Sequence, residues 1–70
     1  MKSGTVKWFS KERGYGFLVA DEGGDIFVHH SDILKEGFRS LEAGQRVGFQ
    51  MGERDGKVKA VNVFVVNNAI

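Results

Sequence analysis

Seventy residues make one domain, and a chain this short buries only about 60% of the surface its unfolded form exposes, so its core is thin. With no cysteine, disulfides and thiolate metal sites are excluded, and ten basic against nine acidic side chains leave a net charge of +1, which argues against binding driven by charge alone. No run approaches the ~20 apolar residues that span a bilayer, and Met1-Lys2-Ser3-Gly4 does not open like a signal peptide, so a cytoplasmic protein is expected.

Ten glycines and no proline punctuate short apolar runs, a pattern that suits an all-β domain. The first predicted strand is Gly4 to Ser10 and the second Gly14 to Ala20. The turn Asp21-Glu22-Gly23-Gly24-Asp25 leads to a third, Ile26 to His30. Ser31 or Asp32 then caps a helical turn through Leu34. Gly37 breaks that turn, and the rest to Gly44 reads as a long loop. The fourth strand is Arg46 to Met51, the turn Gly52 to Gly56, and the fifth strand Lys57 to Val66, with a frayed end over Asn67 to Ile70.

Five short strands with a long connection after the third fit a five-stranded antiparallel Greek-key barrel of the OB type. Closure removes most exposed sheet edge and lets few residues share one core. The expected core is Val6, Leu18, Ala20, Ile26, Val28, Ile33, Leu41, Val47, Phe49, Met51, Val61 and Val63.

Strand side chains alternate between faces. If Leu18 and Ala20 point inward, Tyr15, Phe17 and Val19 point outward, and if Ile26 and Val28 point inward, Phe27 and His29 point outward. Neighbouring strands then carry large aromatics where polar side chains belong, and antiparallel pairing brings Phe17 beside Phe27. A chain of this size has no spare element to cover a second face, so the rings read as a binding surface. Gly14 and Gly16 leave the backbone open between them or supply barrel curvature; both readings can hold together. Phe38 either anchors the loop or extends the patch. Trp8 and Phe9 are adjacent, so a regular strand buries one and exposes the other, whereas a bulge near Lys7 lets both reach the patch edge.

Charge is uneven along the chain. Residues 1–20 carry four basic against one acidic side chain, residues 21–42 two against six, and residues 43–70 four against two. One face can be basic in a nearly neutral molecule, although the pattern also fits ordinary solubilising charge.

The run Arg13-Gly14-Tyr15-Gly16-Phe17-Leu18 has the basic-Gly-aromatic-Gly-aromatic-aliphatic form of an RNA-binding signature. The RNA-recognition-motif fold places its shorter second motif before this one. Here the candidate, Ile26-Phe27-Val28-His29, follows, and no helix of sufficient length is predicted. With Gly4-Thr5-Val6-Lys7-Trp8-Phe9, Gly37-Phe38, Leu41, Gly44-Gln45 and Ala60-Val61-Asn62-Val63 added, the chain resembles the bacterial cold-shock proteins over nearly its whole length.

The resemblance implies an OB-type barrel, a cytoplasmic location, and binding of single-stranded RNA and DNA. It further implies an RNA-chaperone role in the cold-shock response that keeps transcripts unfolded, with effects on transcription or translation. It carries a nucleic-acid-binding role onto Lys7, Trp8, Phe9, Arg13, Tyr15, Phe17, Asp25, Phe27, His29, His30 and Phe38. Three positions depart from the common pattern: His30 where many members have phenylalanine, Tyr15 where phenylalanine is also common, and Val58 or Lys59 in place of a proline.

No nucleophile–base pair, paired acids or metal constellation is apparent, so neither catalysis nor a cofactor is expected. Adjacent strand residues point to opposite faces, which makes His29 and His30 a poor metal pair. Imidazoles gain charge in mild acid, so nucleic-acid binding is expected to strengthen slightly there. A protein-interaction barrel with an aromatic groove for proline-rich peptides shares the size and exposed rings, but leaves the basic flank of the first aromatic run unexplained. A monomer is expected, with a strand-exchanged dimer as the alternative.

Overall fold

The computed structural model describes residues 1–34 and 40–66. Its strands are β1 (Lys2–Ser10), β2 (Tyr15–Ala20), β3 (Asp25–His29), β4 (Arg46–Arg54) and β5 (Lys57–Val65). They close into a barrel in the order β1-β2-β3-β5-β4. The β1–β2, β2–β3, β1–β4 and β4–β5 pairs are antiparallel, and the β3–β5 contact, Phe27 opposite Lys59, is parallel. This is the five-stranded Greek-key barrel expected from the strand spacing. Among the described residues no helix is long and apolar enough to cross a membrane.

The interior holds Val6, Leu18, Ala20, Val28, Ile33, Leu41, Val47, Phe49, Ala60 and Val63, with Phe9, Ile26 and Val65 packed against them. Two expected core residues lie elsewhere, each for a local reason. Met51 is 40% exposed because β1 pairs with β4 only from Arg46 to Phe49; beyond that, β4 runs on with β5 alone. Val61 is only half-buried and Ala60 takes the inward position. The register steps from Gly48↔Phe64 to Gln50↔Val61, so β5 carries one residue more than β4. Asn62 absorbs it with a φ of 51°, and its amide donates to Gln50 Oε1 at 2.6 Å. One inserted residue inverts the in–out alternation on one side of it.

The β4–β5 turn is tighter than the five-residue connection expected. The strand continues to Arg54, and Asp55-Gly56 alone turn the chain, with φ of 54° and 76°. Two positive φ values match the twist of a two-residue hairpin, and Asp-Gly is a preferred pair for it. The helical turn is also shifted. A single 3₁₀ turn covers His30–Asp32, and its cap is His29, whose ring accepts the Ser31 N–H, rather than Ser31 or Asp32. Ile33 then forms a parallel bridge to Val63, which draws this segment onto β5. Gly37, Phe38 and the end from Asn67 lie outside the described residues.

Candidate nucleic-acid interface

The β2–β3 register places Tyr15 opposite His29, Phe17 opposite Phe27 and Val19 opposite Asp25. All six share the outward face, since the residues between them, Gly16, Leu18 and Val28, are buried. The third row comes from β1, and a bulge decides it. Val6 pairs with Leu18 but Trp8 pairs with Phe17, so β1 has one extra residue, Lys7. Val6 therefore points inward and Trp8 outward, although they are two residues apart.

The bulge does not bring both adjacent aromatics to the surface. Trp8 is 40% exposed, whereas Phe9 pairs with Gly16 and packs against the core. A Cβ at position 16 would lie 2.2 Å from the Trp8 carbonyl oxygen and 3.0 Å from the Phe9 ring. Gly16 thus vacates the space that Phe9 fills, and its role at the inward face is close approach.

The outward rings are continuous. Centroids are 5.5 Å apart for Trp8 and Phe17, 5.8 Å for Phe17 and Phe27, 5.7 Å for Phe27 and Tyr15, and 6.0 Å for Tyr15 and Trp8. These are tilted and edge-to-face contacts, which leave parts of the ring faces open to solvent while the edges support one another. His29 and His30 extend the patch with centroids 4.3 Å apart. His30 lies against Gly14, where a Cβ would approach its ring to 2.5 Å. Phe38 lies outside the described residues.

Charged groups stand at the ends of the strip. Lys7 Nζ lies 2.7 Å from Asp25 Oδ2, an ion pair about half exposed on both sides. Arg13 donates to the Tyr15 hydroxyl at 3.4 Å, and that contact raises the guanidinium pKa above its already high ordinary value. Away from the strip, Arg46 makes a two-pronged contact with Asp21, at 2.6 and 2.7 Å, and donates to Thr5 Oγ1 at 3.0 Å. The guanidinium holds the Asp21 carboxyl below the usual aspartate range.

One feature was missed by reading the strands separately. An open groove of about 550 Å³ lies between the end of β3 and the β4–β5 hairpin, with Phe27 and His29 on one side and Arg54, Lys57 and Val58 on the other. Arg54 and Lys57 are direct cross-strand partners, and among the described residues neither has an ion-pair partner, although Asp55 also lines the groove. Like charges placed directly opposite destabilise a hairpin unless an anion joins them. Lys59 is already engaged, 2.8 Å from Asp32 Oδ2, which has no other partner among the described residues. The signal was legible: a two-residue Asp-Gly turn pairs position 54 with 57. Among the described residues no cluster of three or more potential metal ligands exists.

A β-barrel carrying outward aromatics flanked by lysine and arginine matches known proteins along nearly all its length. The profile described as "'Cold-shock' DNA-binding domain" matches residues 2–66. Cold shock protein 1 of Lactiplantibacillus plantarum is 49% identical over 63 residues, covering 90% of this chain and 96% of the relative. Cold shock protein CspA of Staphylococcus saprophyticus is 51% identical over the same coverage. Glycine-rich protein 2 of Nicotiana sylvestris is 55% identical over 62 residues, 86% of this chain but 29% of that protein. Among solved structures, the Drosophila Unr CSD456 chain superposes with a TM-score of 0.77 at 21% identity; it covers 99% of this chain, which spans 28% of that one, and supports the fold. The chain belongs to the cold-shock domain family of nucleic-acid-binding proteins.

Proposed function

We propose that the protein binds single-stranded RNA and DNA by stacking bases on Trp8, Phe17, Phe27 and Tyr15, and acts as an RNA chaperone. The observation that carries this reading is the unbroken chain of outward rings, each centroid within 6.0 Å of the next. Every base has a π-face, so stacking accepts any sequence and contributes ~1–3 kcal/mol per base. Three or four such contacts, less the cost of ordering the strand, correspond to micromolar to nanomolar affinity. A duplex hides its base faces, which gives the preference for single strands.

Lys7 and Arg13 supply phosphate or base-edge contacts at the strip, and Arg54 and Lys57 supply them at the groove. Asp25 keeps Lys7 in place between encounters. His29 and His30 continue the stacking surface, whereas Phe9 acts from beneath it by supporting the strand that carries Trp8. With about three phosphates neutralised, log K falls against log salt with a slope near −2. Stacking then outweighs charge, in keeping with a net charge of +1.

Binding the open strand lowers its free energy and drains weak hairpins by mass action, with no need for nucleotide hydrolysis. This reading makes the chain a monomeric, cytoplasmic, single-domain binding module rather than an enzyme, with effects on transcription or translation in the cold-shock response. Titrating oligothymidylate against Trp8 fluorescence tests it. Strong quenching by the single strand and little by the matching duplex is expected. No response, with affinity unchanged in a Phe17→Ala/Phe27→Ala variant, refutes it.

A further inference from the structure

The His29 ring is held by its own chain. The Ser31 backbone N–H donates to Nδ1 at 3.3 Å, and the Ser31 hydroxyl lies 2.9 Å from the same nitrogen. A backbone amide can only donate, so Nδ1 must be the bare, accepting nitrogen, and the neutral ring carries its hydrogen on Nε2. Among the described residues Nε2 has no hydrogen-bond partner, and the ring borders the groove beside Phe27, Lys57 and Ser31. A donor that no described residue engages therefore stands where the stacking strip meets the groove.

We propose that Ser31 is a positioning residue: it holds His29 as the Nε2–H tautomer, which presents a fixed donor to an oxygen of the bound strand. The inference rests on the nucleic-acid reading above and adds a directional contact to a surface otherwise indifferent to orientation. Without the cap, a histidine ring turns about its side-chain bonds and exchanges tautomers, and half of its states offer an acceptor instead. With the cap, the donor is ready before the strand arrives, so less ordering is needed on binding. The acceptor is either a base carbonyl or a phosphate oxygen, since both offer the lone pair that Nε2–H requires.

The full-length chain allows a direct test. Long-range ¹H–¹⁵N spectra of the free protein at pH 8 should show His29 with a bare Nδ1 and a protonated Nε2. Ser31 is exposed, so Ser31→Ala should fold normally. It removes the hydroxyl, one of the two groups that hold Nδ1, while the backbone N–H stays, and should weaken oligothymidylate binding about three- to tenfold, the effect of one hydrogen bond. His29→Phe keeps a stacking ring but no donor, and in that background Ser31→Ala should cost nothing. The same cycle on a strand of difluorotoluene nucleosides, which keep thymine's shape without good acceptors, assigns the oxygen. Coupling that disappears there marks a base carbonyl, and coupling that persists marks a phosphate. A protonated Nδ1, or a Ser31→Ala loss that is just as large in His29→Phe, overturns the proposal. A wild type that fails to bind oligothymidylate overturns the nucleic-acid reading and this inference with it; a wild type that binds without coupling overturns this inference alone.

Discussion

Replacing Phe27 with alanine removes the ring at the centre of the outward strip. Phe27 touches Phe17 and Tyr15, at 5.8 and 5.7 Å between centroids, and borders the groove as well. It lies on the outer face, half-buried, and is not part of the buried core cluster. The fold should therefore lose less than the ~3–5 kcal/mol of a buried Phe→Ala change. Binding should lose one stacked base, ~1–3 kcal/mol, or about 5- to 150-fold in affinity. The salt dependence separates this from a charge effect. No cation is removed, so log K should drop at every ionic strength while its slope against log salt stays near −2. Because Phe17 and Phe27 support each other, the Phe17→Ala/Phe27→Ala variant should cost less than the two single losses summed. Trp8, the sole tryptophan and 5.5 Å from Phe17, reports each titration without a label. A folded Phe27→Ala protein with wild-type affinity would refute the stacking argument, and a slope that changes with it would refute the ranking of stacking over charge.

Charge and packing make further predictions. Arg54→Gln/Lys57→Gln should reduce the magnitude of the salt slope by about 1.4 if both cations meet phosphate, and should stabilise the free hairpin by relieving their repulsion; urea titration and binding at several salt concentrations check the two effects. Gly16→Ala should destabilise the barrel by about 3 kcal/mol in urea unfolding, because the new methyl meets the Trp8 carbonyl and the Phe9 Cα, backbone atoms that cannot step aside. Gly48→Ala should cost less, since there the methyl meets the outer end of the Phe64 ring. Asp21 is held below the ordinary aspartate range by Arg46, so its contribution is present above that range and is lost as the pH falls through and below it. Asp21→Asn should lower Tm slightly at neutral pH and leave less acid sensitivity at pH 3, as read by circular dichroism.

Alternation made most of the barrel legible in advance. Leu18 and Ala20 against Tyr15 and Phe17 settle the faces of β2, and Val28 against Phe27 settles β3, because a side-chain period of two is local. The adjacency of Trp8 and Phe9 raised a bulge near Lys7 as one of two readings, and β1 does carry its extra residue there. The burial of Phe9 was harder to see, since it depends on the gap that Gly16 leaves on the neighbouring strand. Ala60 and Val61 could not be ordered from their own segment, because the extra residue at Asn62 shows itself only against the register of β4.

By itself, the sequence determined that this is a small all-β chain with aromatics facing outward on two adjacent strands, since composition, turns and alternation act over a few residues. Only the tertiary structure decided which charges stand beside those rings. Lys7 meets Asp25, Lys59 meets Asp32, and Arg54 and Lys57 stand across a groove from Phe27. It also decided that His29 turns its Nδ1 toward Ser31 and caps the turn that follows. These contacts, apart from the His29 cap, join residues 18 to 30 positions apart and follow from barrel closure and register, which no local pattern encodes.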